Sequence, residues 1–280
     1  MIKAPVNKII PFSNVDGPGN RTSVFFQGCP FNCLFCHNPE TIHLCNGCGR
    51  CVPLCPAGAL TRGEDGSLLW EAGRCCQCDT CIRACPRDAS PRVRWMSVEE
   101  VLAEIRRTAP YIQGITVSGG ECTQQSDFLL ELFPRVQEMR KTCLMDSNGS
   151  FDFEKDPRLL ACSDGVMLDV KAADPAWSRR LTGDDGALVR KNLAFLLSAG
   201  KLQEVRTVLF PAMPEENEET VRYVAGIIGP ACDYKLIRYR PFGVREKYQD
   251  LLGTDTTPTE EAERCAALAR SLGAEQAFVV

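Results

Sequence analysis

Val24-Phe25-Phe26-Gln27-Gly28-Cys29-Pro30-Phe31-Asn32-Cys33-Leu34-Phe35-Cys36-His37-Asn38 begins as an apolar, strand-like run and turns, at a glycine, into a cysteine loop. Cys29, Cys33 and Cys36 are separated by three and then two residues. Thiolates so spaced can wrap three corners of one [4Fe-4S] cube. A cube has four irons, so one keeps an open coordination position where a small molecule can bind, and the loop reads as a reaction centre. Zinc is the competing reading, but structural zinc sites close with four ligands and usually pair their cysteines differently.

Two further groups follow, Cys45-x2-Cys48-x2-Cys51-x3-Cys55-Pro56 and Cys75-x2-Cys78-x2-Cys81-x3-Cys85-Pro86. Each has the spacing of bacterial two-cluster ferredoxins, in which the fourth cysteine of a run ligates the other cluster. The same crossing gives Cys45, Cys48, Cys51 and Cys85 for a second cluster and Cys75, Cys78, Cys81 and Cys55 for a third. Either run alone could be misread as zinc. The stretch is an internal duplication with little helical period, and needs its clusters in place of an apolar core. It reads as an inserted ferredoxin-like domain, residues 39–95, that carries electrons and interrupts a larger domain formed by 1–38 and 96–280.

Outside the insert the pattern is strand then helix. Ser97-Val98-Glu99-Glu100 is a capping box that opens a helix with Val98, Val101, Leu102 and Ile105 on one face. Predicted strands at Ile115–Ser118, Thr142–Asp146, Gly165–Val170, Val205–Phe210 and Tyr234–Tyr239 alternate with predicted helices at Phe128–Arg140, Leu188–Ser198, Glu216–Ile228 and Thr259–Leu272. Such alternation implies an α/β fold of parallel strands with right-handed crossovers. About six units fit, fewer than a closed eight-unit barrel needs, so the expected architecture is an open partial (β/α)6 barrel. Its chemistry belongs at the C-terminal ends of the strands.

The chain has 280 residues, 44% of them hydrophobic, and a formal net charge of -4. Cluster charges would take that to about -9, with lysines and arginines dispersed, which argues against nucleic acid as a partner. Neither a signal-peptide run nor a membrane-length apolar stretch is present, so a cytoplasmic, membrane-free protein is expected. In a reducing cytosol, closely spaced cysteines more often bind metal than form disulfides. Cys76, Cys122, Cys143, Cys162, Cys232 and Cys265 lie outside the three sets, and core packing is the default for most of them.

Cys29-x3-Cys33-x2-Cys36 resembles the signature of the radical S-adenosylmethionine (SAM) superfamily. The resemblance implies that SAM chelates the open iron and is reductively cleaved to methionine and a 5′-deoxyadenosyl radical. Upstream, Asp16-Gly17-Pro18-Gly19-Asn20-Arg21, with Phe25, Gly28-Cys29 and Cys36-His37-Asn38, resembles the N-terminal signature of glycyl-radical-enzyme activases, and the likeness runs to about Tyr248. It implies hydrogen abstraction from a backbone glycine of a partner glycyl radical enzyme, under anaerobic conditions, with flavodoxin or ferredoxin as electron donor. Lys8-Ile9-Ile10-Pro11-Phe12-Ser13-x-Val15-Asp16 and the early Cys45–Cys48 tract look most like the YjjW-type activases, whose partner is the YjjI-type glycyl radical protein.

Residue by residue, the resemblance gives the three cysteines the catalytic cluster. It gives SAM contacts to Phe35, Cys36, His37, Gly119, Gly120, Glu121, Asp169, Val170, Lys171, Arg206 and Arg240. Arg240 stands where related activases carry a His. Asp146, Ser147, Met167 and Asp169 match a monovalent-cation site near SAM, and Asp16 and Arg21 are candidates for positioning the partner's glycine loop. Two alternatives stay open: a radical SAM enzyme acting on a small molecule, and an iron–sulfur electron-transfer module.

Overall fold

A nine-stranded sheet organises residues 2–280, the part of the chain described by the computed structural model; Met1, at the start of the predicted outer domain, lies outside it. In chain order the elements are β1 (Lys3–Ser13), β2 (Arg21–Phe26), β3 (Leu60–Arg62), β4 (Leu68–Trp70), α1 (Thr80–Arg83), β5 (Arg94–Ser97) and α2 (Val98–Thr108). There follow β6 (Gly114–Gly119), α3 (Ser126–Gln137), β7 (Thr142–Ser147), α4 (Arg158–Ala161), β8 (Gly165–Asp169), α5 (Pro175–Thr182) and α6 (Ala187–Ser198). The chain closes with β9 (Leu202–Leu209), α7 (Pro214–Ile228), β10 (Asp233–Arg238), α8 (Gln249–Leu252), α9 (Thr259–Ser271) and β11 (Ala277–Val279).

The sheet order is β11-β10-β9-β8-β7-β6-β2-β1-β5. From β2 to β11 every neighbouring pair is parallel, whereas β1 is antiparallel to both β2 and β5. The predicted strand–helix alternation is present because the strands carry two different faces. Val24, Phe26, Val117 and Val166 are buried, and Phe26 meets Phe128 of α3 edge-on at 5.8 Å. Register places Phe25, Ser118, Asp146, Met167, Glu204 and Asp233 in one row across the opposite face, and Asp169, Arg206 and Lys235 in the next. Those two rows are polar, which a purely structural parallel sheet, covered on both faces, would not tolerate.

The capping box at α2 is formed as predicted: Ser97 Oγ accepts from the Glu100 N–H, and Glu100 accepts from the Ser97 N–H at 2.7 Å. The predicted strand beginning at Val24 starts earlier, at Arg21. β1 was not predicted, because Pro5, Asn7 and Pro11 interrupt its apolar pattern. The sheet tolerates Asn7 and Pro11 because they fall at the register shifts with β2 and beyond the Lys3–Val6 stretch paired with β5, whereas Pro5 pairs with Trp95 within that stretch. β5 and β11 are too short to stand out in sequence.

Within residues 39–95 regular structure is sparse: the β3–β4 hairpin, a single turn of helix, α1, two 3-10 turns at Pro39–Thr41 and Ala72–Arg74, and the first residues of β5. The duplication is nevertheless written in the backbone. Gly47 and Gln77, Gly49 and Asp79, and Gly58 and Asp88 all have positive φ, at the 30-residue offset that separates Cys45 from Cys75. A non-glycine residue rarely accepts that conformation. Its recurrence at matched positions shows two copies of one loop. Among the described residues no helix is long and apolar enough to cross a membrane.

Candidate functional site

The cysteine loop is held by backbone bonds from three directions. Gly28 and Cys29 N–H groups donate to the carbonyls of Thr41 and Ile42 at 2.8 and 2.9 Å, and Leu34 N–H donates to Leu181 O at 2.8 Å. Gln27, fully buried, donates through its amide to the carbonyls of Glu40 and His43 and accepts from Asn7. Arg245, 212 residues away in sequence, donates to Cys33 O at 2.9 Å and reaches Asp88 of the insert at 3.7 Å. Neither Gln27 nor Arg245 carries a sequence signal, since each acts through carbonyls that any residue would offer.

Gly119 and Gly120 lie against this loop. Gly120 N–H donates to Phe26 O and Glu121 N–H to Gly28 O. A Cβ on Gly119 would come within 2.2 Å of Phe26 O, and one on Gly120 within 2.2 Å of Gly28 O. The pair is therefore required for close approach of backbone to backbone.

Cys29, Cys33 and Cys36 line one cavity of about 250 Å³, together with Phe35, His37, Gly119, Gly120, Asp146, Asp169, Lys171 and Arg206. Segments far apart in sequence thus meet at the C-terminal ends of β2, β6, β7 and β8, as the motif positions imply. Burial pushes the Cys29 thiol up to about 12 and the Cys33 thiol to about 11, so both side chains are held as neutral thiols until something replaces their protons. Asn148 Nδ2 points at Cys29 Sγ at 3.4 Å. No three His, Cys, Asp or Glu side chains among the described residues converge closely enough for a single metal ion. Three thiols from one loop that line one cavity are a donor set that fits three corners of a [4Fe-4S] cluster.

Lys171 lies 5.3 Å from the centre of the Phe35 ring and donates to Asp169 at 2.7 Å. Burial opposes its charge, but the adjacent Asp169 carboxylate is the largest influence the other way, and its pKa is raised. Val170, between them, is fully buried in the core and does not reach the cavity. Glu121 is a second departure. Its side chain is buried, and its carboxylate accepts from Thr123 N–H and Oγ1, Ser147 Oγ and Asn148 N–H. Burial raises its pKa against those donors. The carboxylate organises the Ser147–Asn148 turn, and the cavity is lined instead by Ser118, Gly119 and Gly120 of the same segment.

His37 lines the same cavity, and its Nε2 contacts Arg240 O at 3.0 Å. Arg240 itself is exposed and lines a neighbouring cavity of about 660 Å³, bounded by Val15–Pro18 on one side and by β9 and β10 on the other. Asp16 faces the polar rows: its carboxylate accepts from Ser13 and Ser23, each at 2.7 Å. Arg21 is turned into the protein. It is 2% exposed and donates to Thr116 Oγ1, Ile115 O, Thr142 O and Pro18 O, and burial pulls its pKa down to about 10.

The expected monovalent-cation ligands are all engaged by the chain itself. Asp146 accepts from Ser118 at 2.8 Å and from Arg206 at 3.0 Å, and Met167 Sδ lies 3.2 Å from Arg206 Nη2. Ser147 is held by Glu121 and Gly149, and Asp169 by Lys171. Burial raises the Asp146 carboxyl, with Arg206 the largest opposing influence. The residues as they stand do not fit a metal cation, and Arg206, expected at the ribose, is committed to Asp146, Met167 and Glu204.

In the insert, Cys55 shares a small cavity with Cys75, Cys78 and Cys81, with Cys76 at its edge. Trp70 and Arg92 line it too, and both side chains are donors to the Cys75 sulfur, whose pKa is lowered mainly by the Gln77 backbone. Donors aimed at a cysteine sulfur are what the thiolate or sulfide acceptors of a cluster would use. Cys76 is exposed, whereas Cys122, Cys143, Cys232 and Cys265 are buried and Cys162 is half-buried.

The sequence profile of the Radical SAM superfamily matches residues 23–226. The indoleacetate decarboxylase activating enzyme of Tractidigestivibacter scatoligenes is 32% identical over 241 residues, spanning 78% of this chain and 76% of the relative. The (2S)-3-sulfopropanediol dehydratase activating enzyme of Klebsiella oxytoca is 34% identical over 236 residues, spanning 75% and 71%. Among solved structures, QueE from Escherichia coli aligns with a TM-score of 0.55 at 13% identity, covering 99% of this chain and 94% of that one, a likeness of fold alone.

Proposed function

Because the chain belongs to the radical SAM superfamily and, within it, to the activating enzymes of glycyl radical enzymes, we propose that it cleaves SAM at the Cys29–Cys33–Cys36 site and abstracts a hydrogen atom from a glycine of a partner glycyl radical enzyme. The observation that carries the reading is the single cavity shared by the three thiols, the Gly119–Gly120 backbone and the Asp169–Lys171 pair. When bound, the cluster supplies the electron that breaks the sulfonium C–S bond. Asp169 and Lys171 present an acceptor and a donor at the rim of that cavity, and Phe35 with the buried walls excludes water from it.

The sheet, with β5 and β11 left as its two ends, is best read as an open partial (β/α)6 barrel, residues 1–38 and 96–280. Its side cavity, between Val15–Pro18 and β10, is of a size to admit an extended loop. Val15, Gly17 and Pro18 would meet the partner there, with Asp16, held by Ser13 and Ser23, and Arg21 anchoring the turn that presents them. The Lys8–Asp16 run supports a YjjI-type partner.

Residues 39–95 would form a ferredoxin-like relay of two further [4Fe-4S] clusters, fed by flavodoxin or ferredoxin in an anaerobic cytoplasm. The matched loops at a 30-residue offset and the gathering of Cys55 with Cys75, Cys78 and Cys81 support it. Replacing Cys78 by Ser should then slow reductive SAM cleavage while leaving SAM affinity unchanged. Equal loss of affinity would make the insert structural.

Reduced protein, SAM and the YjjI-type partner, mixed without oxygen, should yield a glycyl doublet by electron paramagnetic resonance. Release of deoxyadenosine with no doublet from any of a panel of glycyl radical proteins would remove the activase role.

A further inference from the structure

Resting on the reading of this cavity as a SAM site, we infer that the guanidinium of Arg206 is the resident cation of the site, so that SAM binding here requires no Na+ or K+. Asp146, Met167 and Glu204 stand side by side in one row of the sheet, and Arg206 sits in the next row beside Asp169. From there it spans the first row. Nη1 is 3.0 Å from Asp146 Oδ1, Nη2 is 3.2 Å from Met167 Sδ, and Nε is paired with Glu204. A carboxylate and a thioether that could otherwise serve a metal ion have their lone pairs directed at one fixed, planar cation.

Ion pairing leads to the same assignment. Asp146, Asp169 and Glu204 each have a cationic partner within 3.0 Å among Arg206, Lys171 and Lys235, whereas Asp233, at the end of the first row, and Asp16, bonded to Ser13 and Ser23, have no ion pair among the described residues. A metal cation added at Asp146 and Met167 would meet a carboxylate already paired and would sit beside a guanidinium that cannot shed its proton. Expelling Arg206 would leave Glu204, 6% exposed, with Lys235 as its only ion-pair partner among the described residues. Glu204 is thus the positioning residue: by holding Nε it turns the two remaining nitrogens toward Asp146 and Met167. Its role was invisible in sequence, where Glu204 lies just before the predicted strand Val205–Phe210 and belongs to no motif.

The test uses the reconstituted protein under anaerobic conditions in chloride salts of Na+, K+ and tetramethylammonium at equal ionic strength, the last being too large to enter. SAM affinity by calorimetry and the thermal midpoint without SAM should be the same in all three. A gain in SAM affinity of about tenfold or more, or a raised midpoint, in Na+ or K+ would overturn the inference. Arg206→Met should create the missing dependence, with a midpoint depressed in tetramethylammonium and recovered by Na+ or K+; a folded variant that stays indifferent to the ion would also overturn it. If Arg206→Met does not fold, the wild-type comparison decides alone. Failure to bind SAM in every salt would instead refute the SAM reading, while the SAM-free midpoints still decide the cation question.

Discussion

Gly120→Ala is expected to lower the rate of deoxyadenosine formation about 100-fold, the order of effect that follows a 1 Å misplacement of reacting groups. The added methyl would lie 2.2 Å from Gly28 O and 2.9 Å from Thr41 O. Both contacts are backbone. Gly28 N–H is itself bonded to Thr41 O, so neither carbonyl can yield without moving the residue that leads into Cys29. The strain therefore passes directly to the first cysteine of the cluster loop. Unlike Gly119, Gly120 has no positive φ, so the effect is one of space and not of backbone conformation. Gly226→Ala, on α7 with nothing within 4 Å of the new methyl, is the control and should be neutral or slightly stabilising. Iron content and the cluster signal by electron paramagnetic resonance should fall with the rate in Gly120→Ala; wild-type cleavage in that variant would refute the close-approach account.

Arg21→Met should destabilise the protein by about 2–4 kcal/mol, since it removes charged donors from buried acceptors and leaves those acceptors unpaired. The side chain ties the turn at Pro18 to β6 and β7 through Ile115 O, Thr116 Oγ1 and Thr142 O. Gly114 has no side chain where Arg21 passes: a Cβ there would meet Arg21 Nη2 at 2.6 Å. The depressed pKa shows that burial of the charge already costs part of what the hydrogen bonds contribute, which keeps the expected loss below their sum. For a chain of this size each kcal/mol moves the thermal midpoint by about 2–4 °C. SAM cleavage per folded molecule should be retained in the absence of partner. An unchanged midpoint with loss of the glycyl doublet alone would return Arg21 to the role of substrate contact.

Legibility followed the range of the interaction. The capping box at Ser97, the strands at Ile115, Thr142 and Gly165, and the cysteine spacings are local patterns, and each is present where the residues predicted it. β1 was hidden because its prolines contradict strand propensity and only the pairing with β2 and β5 overrides them. Glu121, Arg21 and Arg206 stand out in sequence as functional positions, and the structure adds partners that no spacing gives: Thr123, Ser147 and Asn148 for Glu121, Ile115 and Thr116 for Arg21, and Asp146 and Met167 for Arg206. All three are polar side chains that are buried, and a buried polar group takes whichever partner the fold brings within reach.

From residues alone, then, came the chemistry: three thiols on one loop, eight more in a duplicated insert, and strands alternating with helices to carry them. The tertiary structure decided how the charges are spent. Register across β7, β8, β9 and β10 sets Asp146, Met167, Glu204, Arg206 and Lys235 side by side, and no spacing in the chain encodes that adjacency. Covalent spacing determines which groups one loop can offer to a cluster, whereas the pairing of a carboxylate with a guanidinium 60 residues away exists only once the sheet has formed.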